Sequence, residues 1–168
     1  MGRVTPEKRF DLIGVVGPQL PDVKFVLMGG ADATGLKIVS HIKQCFKKAG
    51  LKDNFIYMGR VSTLAKREIL MRAKVLFHPS PYESFGIVLV EAMAAGTIPI
   101  AHNSGAPTEF IKDDYLFTNV EEAVEKIRNA LNEGISTREE MRRISYKFSE
   151  ERFKKEIINV VDYLISIR

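Results

Sequence analysis

At 168 residues, with 45% hydrophobic and 27% charged side chains, the chain has the composition of one ordinary globular domain that buries roughly 70% of its unfolded surface; neither disorder nor a second core is called for. A formal net charge of +4 permits an anionic ligand, but the lysines and arginines are scattered instead of gathered into a stripe, which argues against nucleic acid. The lone Cys45 excludes an internal disulfide, His41, His78 and His102 lack metal-ligand spacing, and no apolar run approaches bilayer length, so a cytoplasmic chain with no metal site and no transmembrane segment is expected.

In chain order, residues 1–4 form the stump of a first strand, followed by a charged stretch and not by the apolar core of a secretory leader. Thr5 and Pro6 suit the cap and first position of a helix that carries Phe10, Leu12, Ile13, Val15 and Val16 and ends at Gly17-Pro18. Residues 23–28 read as a buried strand, and Gly29-Gly30 after it as a turn, since Gly-Gly-Ala-Asp lacks the G-x-G-x-x-G fingerprint. A helix over residues 34–49 places Leu36, Val39, Ile42, Phe46 and Ala49 on one face, with Cys45 beside it and Gly50 as its stop. Residues 54–58 form the third strand, and after Gly59, Arg60 and Val61 comes a helix capped by Ser62 or Thr63 that carries Leu64, Ile69, Leu70 and Ala73. Residues 74–78, 97–101 and 115–118 are strands four to six. Beyond Val120 only helices follow, over residues 121–133, 137–147 and 149–167; the last has a Ser149 cap and an amphipathic pattern that packs across the domain or toward a missing partner.

Strands alternating with helices predict an α/β domain, a Rossmann-like doubly wound parallel sheet of about six strands in the order 3-2-1-4-5-6. Ligands in such sheets bind beyond the carboxyl ends of the strands at the switch point, here between strands one and four. The loop after strand one holds Arg3 and Lys8, and the loop after strand four holds Glu83, Ser84, Phe85 and Gly86.

Two carboxylates stand out in the stretch HPSPYESFGIVLVEAMAAGTIPIAHNSGAPTE. Pro79 and Pro81 end strand four because neither ring nitrogen can donate to the ladder. From Gly86 the residues are apolar almost all round up to the stop at Gly96, apart from Glu91. An ionised carboxylate in such a helix costs several kcal/mol unless it is paired or hydrogen-bonded. The free amides of Ser84, Phe85, Gly86 and Ile87 at the helix start would attract phosphate, and a ribose lying along the first turns would bring its diol to Glu91, about 7.5 Å along the axis at ~1.5 Å per residue. The alternative is a buried Glu91 paired with a Lys or Arg of a neighbouring helix.

Glu83 and Glu91, with the Pro-Ser before the loop, Phe-Gly after the first Glu, Glu-Ala-Met-Ala-x-Gly on the helix and Gly-x-x-x-Glu from Gly105 to Glu109, resemble the donor-site signature of the retaining family 4 glycosyltransferases, the glycosyl transferases group 1. Ala95-Gly96-Thr97 followed by Ala101-His102-Asn103-Ser104-Gly105 is further similar to mannosyltransferases that extend dolichol-linked oligosaccharides. The likeness runs from Arg3 to about Phe153. It implies one half of a GT-B fold, with residues 1–168 a single nucleotide-sugar-binding domain, its first strand truncated and the N-terminal acceptor domain absent.

By the same resemblance Arg3 and Lys8 neutralise the donor's diphosphate, Arg60 and Val61 line the base pocket, Glu83 orients the sugar, Glu91 holds the ribose, and Glu109 contributes to the sugar pocket. A plain strand exit at Arg60 and Val61, and a Glu109 that merely favours a helix N-terminus, are the structural alternatives. The implied reaction is hexosyl transfer from a nucleotide sugar, with GDP-mannose or UDP- or ADP-glucose as candidate donors and a saccharide or lipid-linked acceptor. Arg3, Lys8 and Glu83 are the catalytic candidates, no metal or cofactor is implied, and membrane contact would be peripheral, through the missing half. A non-catalytic nucleotide-binding subunit of a two-chain enzyme and an epimerase-like domain are the competing readings. The chain departs from the family pattern at Asp113-Asp114-Tyr115, where a Gly is usual before strand six.

Overall fold

Short apolar runs rich in Val, Ile and Phe set the strands, and a computed structural model describes residues 1–167. β1 (Phe25–Met28) pairs in parallel with β2 (Phe55–Gly59), Phe25 opposite Phe55 and Leu27 opposite Tyr57, and a bulge follows Leu27 so that Met28 faces Gly59. β3 (Val75–His78), β4 (Ile98–His102) and β5 (Leu116–Phe117) form a second parallel set, with Val75 opposite Ile98 and Ala101 opposite Leu116. The α-helices are α1 (Ile13–Val16), α2 (Ala33–Lys48), α3 (Thr63–Arg72), α4 (Ile87–Ala94), α5 (Val120–Asn132), α6 (Ile135–Ser145) and α7 (Glu150–Ser166).

The α/β plan and the two arms of the strand order are those expected, but the sheet is not continuous. Residues 1–4 do not form a strand. They continue beyond the end of β1: the Gly2 and Val4 amides donate to the Met28 and Gly30 carbonyls, each at 2.9 Å, and Val4 bridges Ala31. This segment lies past the end of β1 and not between β1 and β3. The result is a two-stranded and a three-stranded sheet with no ladder joining them.

Helices cover both faces. Val4, Phe10, Ile13, Val16, Leu27, Ile42, Phe46, Phe77, Ile100 and Ile127 belong to one core that spans both sheets under α1, α2 and α5. A smaller cluster of Leu70, Leu76, Leu89, Ala92, Ile111 and Leu116 seals α3 and α4 against β3, β4 and β5. Phe46 anchors the larger core, stacked on Phe55 at 5.5 Å and edge-on to Phe25 at 5.9 Å.

Several elements differ from their expected form. The first helix is broken into short 3-10 turns and α1, because Arg9 adopts a left-handed conformation (φ 50, ψ 33); Thr5 makes no cap bond, and Gly17-Pro18 continue the turn instead of ending it. That reversal buries Phe10 and leaves Lys8 facing the loop after β3. On α2, capped by Asp32, Val39, Ile42 and Phe46 are buried while Leu36 and Ala49 face solvent; on α3, capped by Ser62, Leu70 is buried and Leu64 is exposed. α6 starts two residues before Thr137, whose hydroxyl bonds Glu133 instead of capping. α7 is capped by Ser149 as expected but buries none of its residues, so it does not pack across the domain. No described helix is long and apolar enough to cross a membrane.

Candidate functional site

β3 delivers His78 to the top of the sheet, and Pro79 and Pro81 force the chain into the loop that carries Glu83. Two glycines shape this loop. Gly86 caps α4 with φ 83 and ψ 51, and a Cβ there would lie 2.7 Å from Leu89 Cδ1; Gly105, at φ 69, passes so close that its Cβ would lie 2.5 Å from the Glu83 carbonyl. That carbonyl accepts from the Ala106 amide at 2.9 Å. The amides of Ser84, Phe85, Gly86 and Ile87 find no hydrogen-bond acceptor among the described residues, so four donors converge at the start of α4.

The Glu83 side chain is only 14% exposed and accepts from Lys8 Nζ at 2.5 Å and from His78 Nε2 at 3.1 Å. Burial alone would raise its pKa, but the hydrogen bonds and charge of Lys8, together with His78, outweigh it and hold the carboxyl below its usual range. Burial, helped by the positive chain terminus, pushes His78 down to about 4 against the pull of Glu83. The imidazole is therefore neutral at pH 7. With Nε2–H given to Glu83, Nδ1 is a buried acceptor that has no partner among the described residues.

Arg3 and Arg60 meet at a second place. With Gly30, Ala31 and Asp32 they line a concavity of about 430 Å³, and Arg60 lies across the Gly29-Gly30 turn so closely that a Cβ on Gly30 would fall 2.8 Å from its Nε. Val61, next along, is half-buried and leads into the Ser62 cap of α3.

Glu91 occupies a third. It is not deeply buried: its side chain is 37% exposed and pairs with Lys66 Nζ of α3 at 2.5 Å, at the edge of a cavity of about 550 Å³ that Arg67, Leu70, Met71 and Arg142 also line. The ion-pair alternative therefore describes Glu91. Glu109 closes, and does not open, the 3-10 turn Ala106–Glu109. It is exposed beside a cavity of about 670 Å³ with Phe85, Phe110, Phe148 and Phe153.

The candidate residues thus fall into three adjacent groups, Lys8 with Glu83, Arg3 with Arg60, and Glu91 by itself. Two members escape a reading by residue type. His78 is the partner of Glu83, signalled only by its place at a strand end five residues upstream; Lys66 is the partner of Glu91, signalled by a cation one turn into the helix that follows Arg60 and Val61.

Comparison with known proteins identifies the family. Residues 1–148 match the family described as glycosyl transferases group 1. Over 153 residues the chain is 29% identical to the GDP-Man:Man(3)GlcNAc(2)-PP-Dol alpha-1,2-mannosyltransferase of Dictyostelium discoideum, covering 86% of this chain and 30% of that protein. Over 113 residues it is 28% identical to the D-inositol 3-phosphate glycosyltransferase of Mycobacterium leprae, covering 67% of this chain and 26% of the other. Among solved structures, the sucrose-phosphate synthase of Thermosynechococcus elongatus superposes with a TM-score of 0.84 at 20% identity, over 99% of this chain and 45% of that one. Anabaena HepE, in complex with UDP and glucose, gives 0.77 at 20% identity over 96% and 47%. These likenesses establish the fold, and the chain spans about a third of the curated relatives and about half of the solved chains. With the family match covering most of its length, the chain belongs to the glycosyl transferases group 1 family.

Proposed function

We propose that this chain is the donor-binding domain of a retaining glycosyltransferase that moves a hexose from a nucleotide-diphosphate sugar to a saccharide or lipid-linked acceptor. The observation that carries the reading is the convergence of Lys8, held at 2.5 Å from Glu83, on a helix start whose four amides are free. Departure of a nucleoside diphosphate separates charge, and donors fixed in advance around the phosphates lower that barrier most. Lys8 and Arg3 are the cations for the diphosphate, the α4 amides bind its oxygens, and Arg60 and Val61 border the base. Glu83, kept anionic by Lys8 and His78, orients the sugar and steadies positive charge at the anomeric carbon. Glu91 exchanges Lys66 for the ribose diol.

The mannosyltransferase name of the Dictyostelium relative favours GDP-mannose, and the UDP complexes of the structural neighbours make UDP-glucose the competitor. The acceptor half lies on a further stretch of polypeptide, so the isolated chain binds donor without transferring it: holding two reactants together is worth ~7–11 kcal/mol, and one of them has no seat here. A thermal-shift comparison of GDP, UDP and ADP with their sugar conjugates tests the reading, since a ligand specific to the folded state raises stability as ln(1 + [L]/Kd). A shift with one nucleotide family supports it, and none with any of the three refutes it. Multiple-turnover glycoside formation by the isolated chain would refute the half-enzyme part.

A further inference from the structure

The Glu83 carboxylate is held by one oxygen only. Lys8 Nζ and His78 Nε2 both reach Oε2, at 2.5 and 3.1 Å, and no described residue donates to Oε1. Since both oxygens of a carboxylate accept, this arrangement fixes the group through one and offers the other to a ligand hydroxyl.

The two donors on Oε2 differ in kind. Lys8 ends the 3-10 turn Pro6–Lys8, its ammonium rides on a flexible aliphatic stem, and its side chain is 34% exposed. His78 is the last residue of β3, set opposite Ala101 of β4, and its side chain is only 2% exposed. Close packing at a strand end leaves the ring one orientation, and the Glu83 backbone is tied to the same β4 side by its bridge to Gly105. With donor bound, Lys8 divides its N–H groups between Glu83 and the phosphate oxygens, whereas His78 has no second anion to serve.

We propose that His78 is a positioning residue for the sugar: its Nε2–H is the fixed donor that keeps Glu83 Oε2 in place, and Oε1 turned to a hexose hydroxyl, while Lys8 is drawn to the diphosphate. This role deepens the donor-domain reading and rests on it. The tautomer follows from the partner. An ionised carboxylate can only accept, so the imidazole proton sits on Nε2, and Nδ1, buried without a partner among the described residues, is the unprotonated nitrogen. Burial keeps the ring neutral at pH 7, so it gives direction without placing a second cation beside Lys8. His78 reaches the ligand only through Glu83. Its loss should therefore weaken the hold on the hexose and leave the nucleoside diphosphate alone.

Binding isotherms for a nucleoside diphosphate and for its hexose conjugate, measured on the wild-type chain, His78→Leu and His78→Gln, test the role. Leu keeps apolar bulk without a donor, and Gln keeps an N–H for Oε2. His78→Leu should bind the diphosphate within about twofold of wild type but the conjugate about fivefold or more weakly, and His78→Gln should recover most of that loss. Equal losses for both ligands would make His78 a packing residue, and an unchanged affinity for the conjugate would take it out of the site; either result overturns the proposal. A wild-type chain that binds no nucleotide overturns the donor-domain reading, and the positioning role with it. Should His78→Leu fail to fold, ring-nitrogen NMR of the wild-type histidines carries the test. The ring whose signals vanish in His78→Gln should be neutral at pH 7 with its proton on Nε2, and that proton should move downfield as pyrophosphate draws on Lys8 and the bond to Glu83 strengthens. A proton on Nδ1, or a signal unmoved by saturating pyrophosphate, would overturn the proposal.

Discussion

Glu83 and Glu91 belong to one motif, yet the fold treats them in opposite ways. Glu83 is nearly enclosed and held by two side chains, the distant Lys8 and the neutral His78 of the neighbouring strand end; Glu91 is over a third exposed and held by the single lysine Lys66, itself 28% exposed. A carboxylate fixed by several partners in a dry place cannot be re-paired cheaply, whereas a half-exposed ion pair is worth about 0–1 kcal/mol and can be exchanged. Glu83 therefore suits its proposed role of holding a charge in one position through a reaction, and Glu91 its proposed exchange of Lys66 for a ligand hydroxyl. Stability, pH dependence and binding should separate the two carboxylates.

The largest effect should come from acid. The folded pKa of His78 is about 4 against an ordinary 6.5, so between these values the unfolded chain takes up the proton first. The stability that this difference represents is complete above pH 6.5 and is lost as pH falls toward 4. At about 1.4 kcal/mol per pH unit this amounts to about 2–4 kcal/mol. The depressed Glu83 carboxyl acts in the same direction at lower pH, and the Met1 amine, held to about 5 from 8.0, does so between those two values. Denaturant titrations from pH 7.5 to 4.5 should show this decline, and His78→Gln, which keeps an N–H for Glu83, should remove about half of it between pH 6.5 and 5, the remainder belonging to the Met1 amine. An unchanged slope in the variant would remove His78 from the cluster's electrostatics.

Next in size is Lys8→Ala. It leaves Glu83 with only a neutral donor and removes a cation from the proposed phosphate site, so stability should fall by about 1–3 kcal/mol, and pyrophosphate and nucleoside diphosphate should both bind at least tenfold more weakly. Isothermal titration with each ligand measures this, and intact affinity for both would take Lys8 out of the phosphate site. For Glu91→Gln the expectation is smaller and selective: a loss of about tenfold for the nucleoside diphosphate with pyrophosphate barely changed, because a hydrogen bond to a charged group is worth about 1.5–3 kcal/mol and its proposed partner is the ribose. Equal loss for both would move Glu91 to the phosphates.

The same contrast explains what was legible in the sequence. The second to sixth expected strands, the α4 start at Gly86, the caps at Ser62 and Ser149 and the α/β class are local matters of pattern and turn chemistry, and these are present. What escaped depends on distance along the chain or on backbone strain. The Lys8–Glu83 bond joins residues 75 apart, and the pairing of Glu91 with Lys66 joins two helices whose side-chain reach no periodicity reveals. The left-handed Arg9 that breaks the expected first helix carries no glycine to announce it. Leu36 and Leu64 fit the helical stripe but face solvent. The split sheet is the one large departure: residues 1–4, expected as a strand, continue beyond the end of β1 instead of lying between β1 and β3.

The smallest expected effect is the most discriminating. Lys66→Met keeps the aliphatic stem against Leu70 and Met71 and deletes only the ammonium that meets Glu91. A pair this exposed contributes little to folding, so the variant should lose less than about 1 kcal/mol, a fall of roughly 2–4 °C or less in Tm. The corresponding Lys8→Met change, at a partner only 14% exposed, should cost more at pH 7 and should also flatten the loss of stability in acid, because Lys8 no longer holds the folded Glu83 carboxyl below its usual range. Thermal melts of the two variants side by side at pH 7 and pH 5 give the comparison directly. If Lys66→Met destabilises as much as Lys8→Met, Glu91 is a structural anion like Glu83, and its proposed exchange of lysine for ribose fails. If Lys66→Met leaves the fold intact, Glu91 is free at little cost, which is the property a ribose-binding carboxylate requires.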